Sequence, residues 1–338
     1  MNFQELPSTD EVGTTGIFQL KRIWAKAMFA KKGKQIDTLI PADAHDENII
    51  NILGLGIFPY YDFLFQEAKS FEEFEQYIIG INGGNISPAL VQRCNDLITK
   101  PEAEAFYHDD APVLNEADMK NWADNGYVII RNAVSKEACE DIQTAVWNAL
   151  GLRRDITDTW YLESPVLQGM YVHLYHHHAL EVTRNSPKIK KAFEELWKRN
   201  DLILEIDGLG FNLPMVPDFK FTGGDLRWDV SLQTPVPFGT CGQLYITDIG
   251  ENDGALQLVP CFHQLIDQWL ESLPEDVNPR FINLHQYQIH KITGKAGDFI
   301  IMHHALPYSN LENHGGQPSM FQRINWVSPY KVKHEGWK

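Results

Sequence analysis

Asp225-Leu226-Arg227-Trp228-Asp229-Val230-Ser231-Leu232-Gln233 reads as an extended segment, closed by Thr234-Pro235-Val236-Pro237-Phe238-Gly239. Proline has no amide hydrogen and stops a ladder, so the spacing predicts a strand over Leu226–Gln233. Side chains alternate along a strand, so Arg227 and Asp229 leave the same face. Short strands are also predicted at Leu202–Ile206, Gly242–Thr247, Ala255–Val259, Tyr287–Ile292, Phe299–Met302 and Met320–Val327, separated by Gly, Pro, Asn and Asp. One amphipathic helix interrupts them, Phe262–Leu273, with Leu265, Ile266, Trp269 and Leu270 as its apolar face. Many short strands with a late helical insert fit a double-stranded β-helix, or jelly roll. Periodicity alone leaves a sandwich equally open.

Upstream the character is different. Residues 1 to about 105 read as helical, with Ser70-Phe71-Glu72-Glu73 as a capping-box pattern ahead of Phe71, Phe74 and Ile78. Lys100–Asn121 is a polar connector, followed by a short strand at Tyr127–Ile130. Ser135 caps a helix running to about Leu150, and Ser186-Pro187 starts another. The expected organisation is a mainly β, α+β chain: a helical region over 1–110 packed on the core, then a double-stranded β-helix domain over 111–338.

The chain has 338 residues, 29 of them basic and 45 acidic, for a net charge of −16. Such a surface repels phosphate backbones and anionic lipid, so neither nucleic acid nor membrane is an expected partner. The longest apolar region, Ile49–Phe65, is broken by Asn51, Gly54, Gly56, Pro59 and Asp62. A membrane span needs roughly 20 near-continuous apolar residues. Met1–Glu5 lacks the basic start and apolar stretch of a signal peptide. Cys94, Cys139, Cys241 and Cys261 lie far apart with no CxxC pair, as expected of reduced thiols in a cytoplasmic protein. No P-loop, G-x-S-x-G elbow or dinucleotide fingerprint is present, and Gly54-Leu55-Gly56 reads as a turn.

Several blocks in the second half resemble the phytanoyl-CoA dioxygenase-like family. They are Asp225–Gly239, Gly242-Gln243-Leu244-Tyr245-Ile246-Thr247-Asp248, Val259-Pro260-Cys261-Phe262-His263, and Ala296-Gly297-Asp298-Phe299-Ile300-Ile301-Met302-His303-His304-Ala305-Leu306-Pro307. They fall in family order, and the likeness covers at least residues 125–328. The resemblance implies a jelly-roll oxygenase using iron(II) and 2-oxoglutarate. Such a site takes two histidines and one carboxylate on one face of the metal. The first pair is His-x-Asp on a strand, and the second histidine follows a Leu-Pro-like step. An arginine eleven residues later grips the cosubstrate's distal carboxylate.

This sequence departs at most of those positions. Arg227 stands at the first histidine position, Asp229 is kept, Tyr308 stands at the second histidine position, and Ser319 at the arginine position. A guanidinium stays protonated up to about pH 12 and has no lone pair to offer a cation. A phenol ligates only as phenolate, and its ordinary pKa is about 10. The resemblance therefore implies a degenerate centre and no cofactor. The alternative keeps Fe(II) and 2-oxoglutarate through unusual ligands, with His303 or His304 as substitutes.

Other histidines form weaker patterns. His173 and His177 have helical i,i+4 spacing, as a zinc pair would, but no third ligand is specified. His108-Asp109-Asp110 is a His-x-Asp located in the connector. Arg323 lies four residues after Ser319 on the same predicted strand, so it shares that strand's face. Phe58, Tyr60, Tyr61, Phe63 and Phe65 read as core.

The expectations for the site follow. Asp229 and Tyr308 are the candidate catalytic residues. Arg227, Arg323, Tyr245 and His304 are the candidates for substrate or anion binding. Arg227 should pair with Asp229, directly or through a bound anion, with the Tyr308 hydroxyl donating to the carboxylate. Two functions follow: a pseudoenzyme partnering an active paralogue, or a metal-independent, redox-neutral enzyme acting on a small metabolite in the barrel. The alternative is an active oxygenase of hydroxylase type.

Overall fold

Serine hydroxyls start four helices, and Ser70, Ser135 and Ser186 do so where the sequence pattern places them. Ser70 accepts from the Glu73 amide, Ser87 from Leu90, Ser135 from Ala138 and Ser186 from Ile189, at 3.2–3.4 Å. The helices that follow are Phe71–Ile81, Pro88–Thr99, Lys136–Leu150 and Pro187–Trp197. The expected capping box at Ser70 is offset: the Glu73 carboxylate accepts from the Lys69 amide at 2.8 Å. The computed structural model describes residues 6–34, 39–100, 102, 107, 111–332 and 334. The His108-Asp109-Asp110 pattern and Met1–Glu5 lie outside the described residues. Among the described residues, no single helix is long and apolar enough to cross a membrane.

The chain divides into two compact units, and not by a single cut. The first is Met1–Phe106 together with Asn200–Asp207 and Ser328–Tyr330. It is helical around a core of Ile17, Leu20, Trp24, Ile49, Leu53, Leu64, Phe74 and Ile78. Gly54 and Gly56 turn the chain there, with φ of 71° and 73°, a region that favours glycine. The aromatic run 58–65 is only partly core. Tyr60 is buried, but Phe58 and Tyr61 are exposed because the short Ile57–Asp62 helix buries one side only, and Phe65, in the Phe63–Glu67 turn that follows, is exposed as well.

The second unit comprises Tyr107–Arg199, Gly208–Val327 and Lys331–Lys338. Its strands are β1 (Tyr127–Ile130), β2 (Leu167–Gln168), β3 (Tyr171–Val172), β4 (Leu209–Asn212) and β5 (Thr240–Tyr245). They continue with β6 (Leu256–Leu258), β7 (His290–Ile292), β8 (Phe299–His303), β9 (Tyr308–Asn310) and β10 (Ser319–Arg323). Seven form one antiparallel sheet in the order β1-β8-β5-β10-β4-β3-β2, and three form a second, β9-β6-β7. Tyr245, Ile300, Met302 and Phe321 from the first sheet meet Leu256, Leu258, Ile292 and Tyr308 from the second in one apolar core. Two facing antiparallel sheets closed over such a core are the double-stranded β-helix.

Three local expectations need correction. Leu226–Gln233 forms no regular strand; it joins the smaller sheet by a single bridge, Arg227 to Tyr308. Beyond Arg227 its carbonyls turn to a side chain, described below, and Pro235 and Pro237 offer no amide to a neighbour. The Phe262–Leu273 helix breaks into a single turn, Phe262–Gln264, and a short helix, Ile266–Glu271. The break swings Leu265 outward to 47% exposure, so it leaves the apolar face. The predicted strand Met320–Val327 stops at Ile324, leaving β10 and a separate Asn325–Val327.

Candidate barrel-mouth site

The Arg227–Tyr308 bridge brings the two key segments together. The Arg227 amide donates to the Tyr308 carbonyl at 3.1 Å, and the Tyr308 amide returns the bond at 3.0 Å. This is a hydrogen-bonded antiparallel pair, which fixes the spacing of the two residues through the backbone. Arg323 ends β10, opposite Gln243 on β5.

Asp229 lies between these groups. Its Oδ2 accepts from the Tyr308 hydroxyl and, at 3.0 Å, from Arg323 Nη2; Arg323 also donates to the Tyr308 oxygen. Arg227 Nε stands 3.6 Å from Asp229 Oδ1, so the expected pairing is direct, if loose. The Arg227 and Arg323 guanidinium carbons lie 5.9 Å and 5.7 Å from the centre of the Tyr308 ring, within cation–π range. Tyr308 is buried, whereas the side chains of Arg227, Asp229 and Arg323 are 41%, 36% and 25% exposed. The cluster therefore sits where a dissolved molecule can reach it.

The electrostatics follow from this placement. Burial pushes the Asp229 carboxyl up, but the charge of Arg323, the Tyr308 hydroxyl and the charge of Arg227 outweigh it and hold the group below its ordinary value. Burial drives the Tyr308 phenol well above its own ordinary value, so it keeps its proton. Asp229 is a carboxylate and Tyr308 a neutral donor.

Other expected residues lie apart from the cluster. Tyr245 is fully buried, and its hydroxyl donates to Ile292 O at 2.5 Å and accepts from the Leu256 amide. His304 bonds to the Pro237 carbonyl. His303 packs among Trp122, Phe238, His263 and His304, and burial depresses its pKa to about 3. His173 and His177 share no helix: His173 follows β3, and His177 is the cap of the His178–Arg184 helix. Ser319 pairs across to Asn212, buried, with a hydroxyl that has no hydrogen-bond partner. Among the described residues, no group of three or more His, Cys, Asp or Glu side chains converges as a metal site would require.

Two neighbours carry no signal in the sequence. Tyr171 on β3 accepts from Arg227 Nη2 at 3.1 Å. Arg280, in the Pro279–Phe281 turn, donates from Nη1 to Trp228 O at 2.8 Å and from Nη2 to Val230 O at 2.6 Å. No motif or periodicity ties either residue to Asp229.

Over 152 residues the chain is 31% identical to the Ava biosynthesis cluster protein O of Aspergillus versicolor, covering 40% of this chain and 48% of that protein. The chain thus spans about half the length of that relative. Among solved structures, it is similar to the epimerase SnoN from nogalamycin biosynthesis, in complex with Fe3+, alpha ketoglutarate and nogalamycin RO. That match has 14% identity over 64% of this chain and 85% of that one, with a TM-score of 0.47. The non-heme alpha ketoglutarate dependent carbocyclase SnoK, from the same biosynthesis, gives 14% identity over 67% and 90%, with a TM-score of 0.46. The sequence pattern of one family, phytanoyl-CoA dioxygenase (PhyH), matches residues 122–320, which hold β1 to β9, the Arg227–Tyr308 bridge and Asp229. The chain is a member of the phytanoyl-CoA dioxygenase family.

Proposed function

We propose that this chain is an iron-independent member of its family, a pseudoenzyme that binds a small metabolite at the barrel mouth without oxidising it. One observation carries the reading: Asp229, the only donor left at the family's three metal positions, is already engaged by Tyr308 and Arg323. A carboxylate held between two guanidinium groups has its charge compensated, and a divalent cation added there meets two fixed positive charges. Tyr308 is hard to deprotonate where it sits. Ser319 offers a hydroxyl where a cosubstrate's distal carboxylate needs a cation. These residues do not fit iron and 2-oxoglutarate.

The choice against acid–base catalysis rests on the same electrostatics. A general base works best with a pKa near the operating pH, and Asp229 moves in the other direction. The Tyr308 proton is held more tightly than in a free phenol. Exposure of Asp229 favours a bound ligand, and the name of the Aspergillus relative, a biosynthesis cluster protein, supports a small-molecule one.

Elemental analysis of the chain purified without chelator, with a succinate-release assay on added Fe(II) and 2-oxoglutarate, tests this. The expected result is far below one equivalent of iron and no succinate. Near-stoichiometric iron with turnover overturns the reading in favour of an oxygenase with unusual ligands.

A further inference from the structure

The segment that carries Asp229 leaves the sheet at Arg227, so residues 228–231 have no ladder to hold them. Backbone carbonyls in that position need other partners, because an unpaired buried one is unfavourable. The chain bends at Asp229 and Val230, and the carbonyls of Trp228 and Val230, one residue before and one after Asp229, reach a common partner. Arg280 takes both with the two arms of one guanidinium, at 2.8 Å and 2.6 Å. Its planar fork replaces the missing neighbour strand, a geometry a lysine cannot copy. Arg280 is itself set at its root, where the Asn278 side chain accepts from its amide at 3.0 Å. Trp228 is secured separately by its indole nitrogen, which donates to Ala305 O at 2.8 Å, and by packing on Phe262 and Trp269.

We infer that Arg280 is a positioning residue of the barrel-mouth site: by gripping the carbonyls of Trp228 and Val230, the residues on either side of Asp229, it aims the carboxylate at Tyr308 and Arg323. The inference rests on the proposed role of that cluster as a ligand site. It reaches further, because it puts the loop carrying Arg280 in control of whether the cluster assembles.

The test is a double-mutant cycle between Arg280 and Tyr308, two residues with no hydrogen bond between them. Chelator-treated chain is used throughout, so the outcome is independent of whether the native protein holds iron. Urea midpoints are measured for Tyr308→Phe alone and in Arg280→Gln and Arg280→Lys backgrounds. If Arg280 aims Asp229, the midpoint loss from Tyr308→Phe falls to less than about half in both backgrounds, since the bond it removes is no longer well made. Additive losses overturn the inference and leave Arg280 as a local staple. A full-sized Tyr308→Phe loss in the lysine background alone also overturns it, because charge rather than the fork is then what acts. Arg280→Lys keeps the charge and most of the side chain, so the test survives if Arg280→Gln fails to fold. As a readout beyond stability, hydrogen exchange should quicken at the Val230 and Ser231 amides in both Arg280 variants.

Discussion

Two aspartates in this chain, Asp43 and Asp229, each sit between two cations, and they behave as different devices. In the helical unit, Arg22 and Lys26 stand one turn apart on the Leu20–Lys31 helix and converge on Asp43. Arg22 binds both carboxylate oxygens, at 2.9 Å and 3.0 Å, while the Gln19 side chain and the Ile40 amide add bonds at 2.8 Å. The Asp43 and Arg22 side chains are 6% and 7% exposed. At the barrel mouth the cations come from separate segments, one stands 3.6 Å away, and Asp229 is 36% exposed. The first arrangement is a closed staple; the second leaves a face for something else. Charge composition does not separate a closed ion pair from an open one, but geometry and access do.

The largest effect expected from this contrast is at Asp43. Asp43→Ala strands the buried Arg22 guanidinium, while Lys26 keeps Asp46 as a partner, and should lower stability by about 3–5 kcal/mol in urea unfolding. A loss below about 1 kcal/mol would erase the distinction between the two clusters. Asp43→Asn should also flatten the acid limb. The Asp43 carboxyl is raised by burial but more strongly lowered by Arg22 and Lys26, so its folded value is depressed. Its contribution is complete above the ordinary carboxylate value of 3.8 and lost as pH falls through the lower, folded one.

Tyr308→Phe should follow, with a loss of about 1–2 kcal/mol, because it removes one donor from a charged acceptor and leaves the others. Arg227→Ala should cost under about 1 kcal/mol, since its partner is reached loosely at a wet surface. A cost of several kcal/mol there would mean that the mouth is closed in solution, and thermal unfolding would reveal it. Smallest of all is the salt response. Raising salt to about 1 M shrinks the screening length to roughly 3 Å, which should reduce the Arg227→Ala effect to nothing and leave the Asp43→Ala effect largely intact.

How much of this was legible beforehand depends on how local each signal is. Ser70, Ser135 and Ser186 mark helix starts because a cap is a contact between residues three apart. Arg227, Asp229 and Tyr308 were legible because their motif blocks keep family order, and Arg323 because strand alternation carries a face along four residues. Tyr245 and His304 lie in the same blocks, yet their polar atoms bond to backbone away from the mouth. No pattern of spacing reports which side of a strand end a side chain finally takes. Arg280 was invisible for a stronger reason: its partners are carbonyls, which are the same in every residue. The break at Leu265 was likewise hidden, since an amphipathic pattern continues unchanged across a turn that tightens.

The reciprocal amide bonds between Arg227 and Tyr308 have a consequence for how such a protein changes over time. They belong to the main chain, so the separation of the two positions is indifferent to the side chains mounted there. Asp229 follows two residues on, between two residues whose carbonyls accept from Arg280. The barrel thus behaves as a socket whose pins can be exchanged one at a time without rebuilding the frame. Exchange of side chains at these positions need not pass through an unfolded ancestor. Arg227→His with Tyr308→His would place two imidazoles beside a carboxylate on a scaffold already set to that spacing.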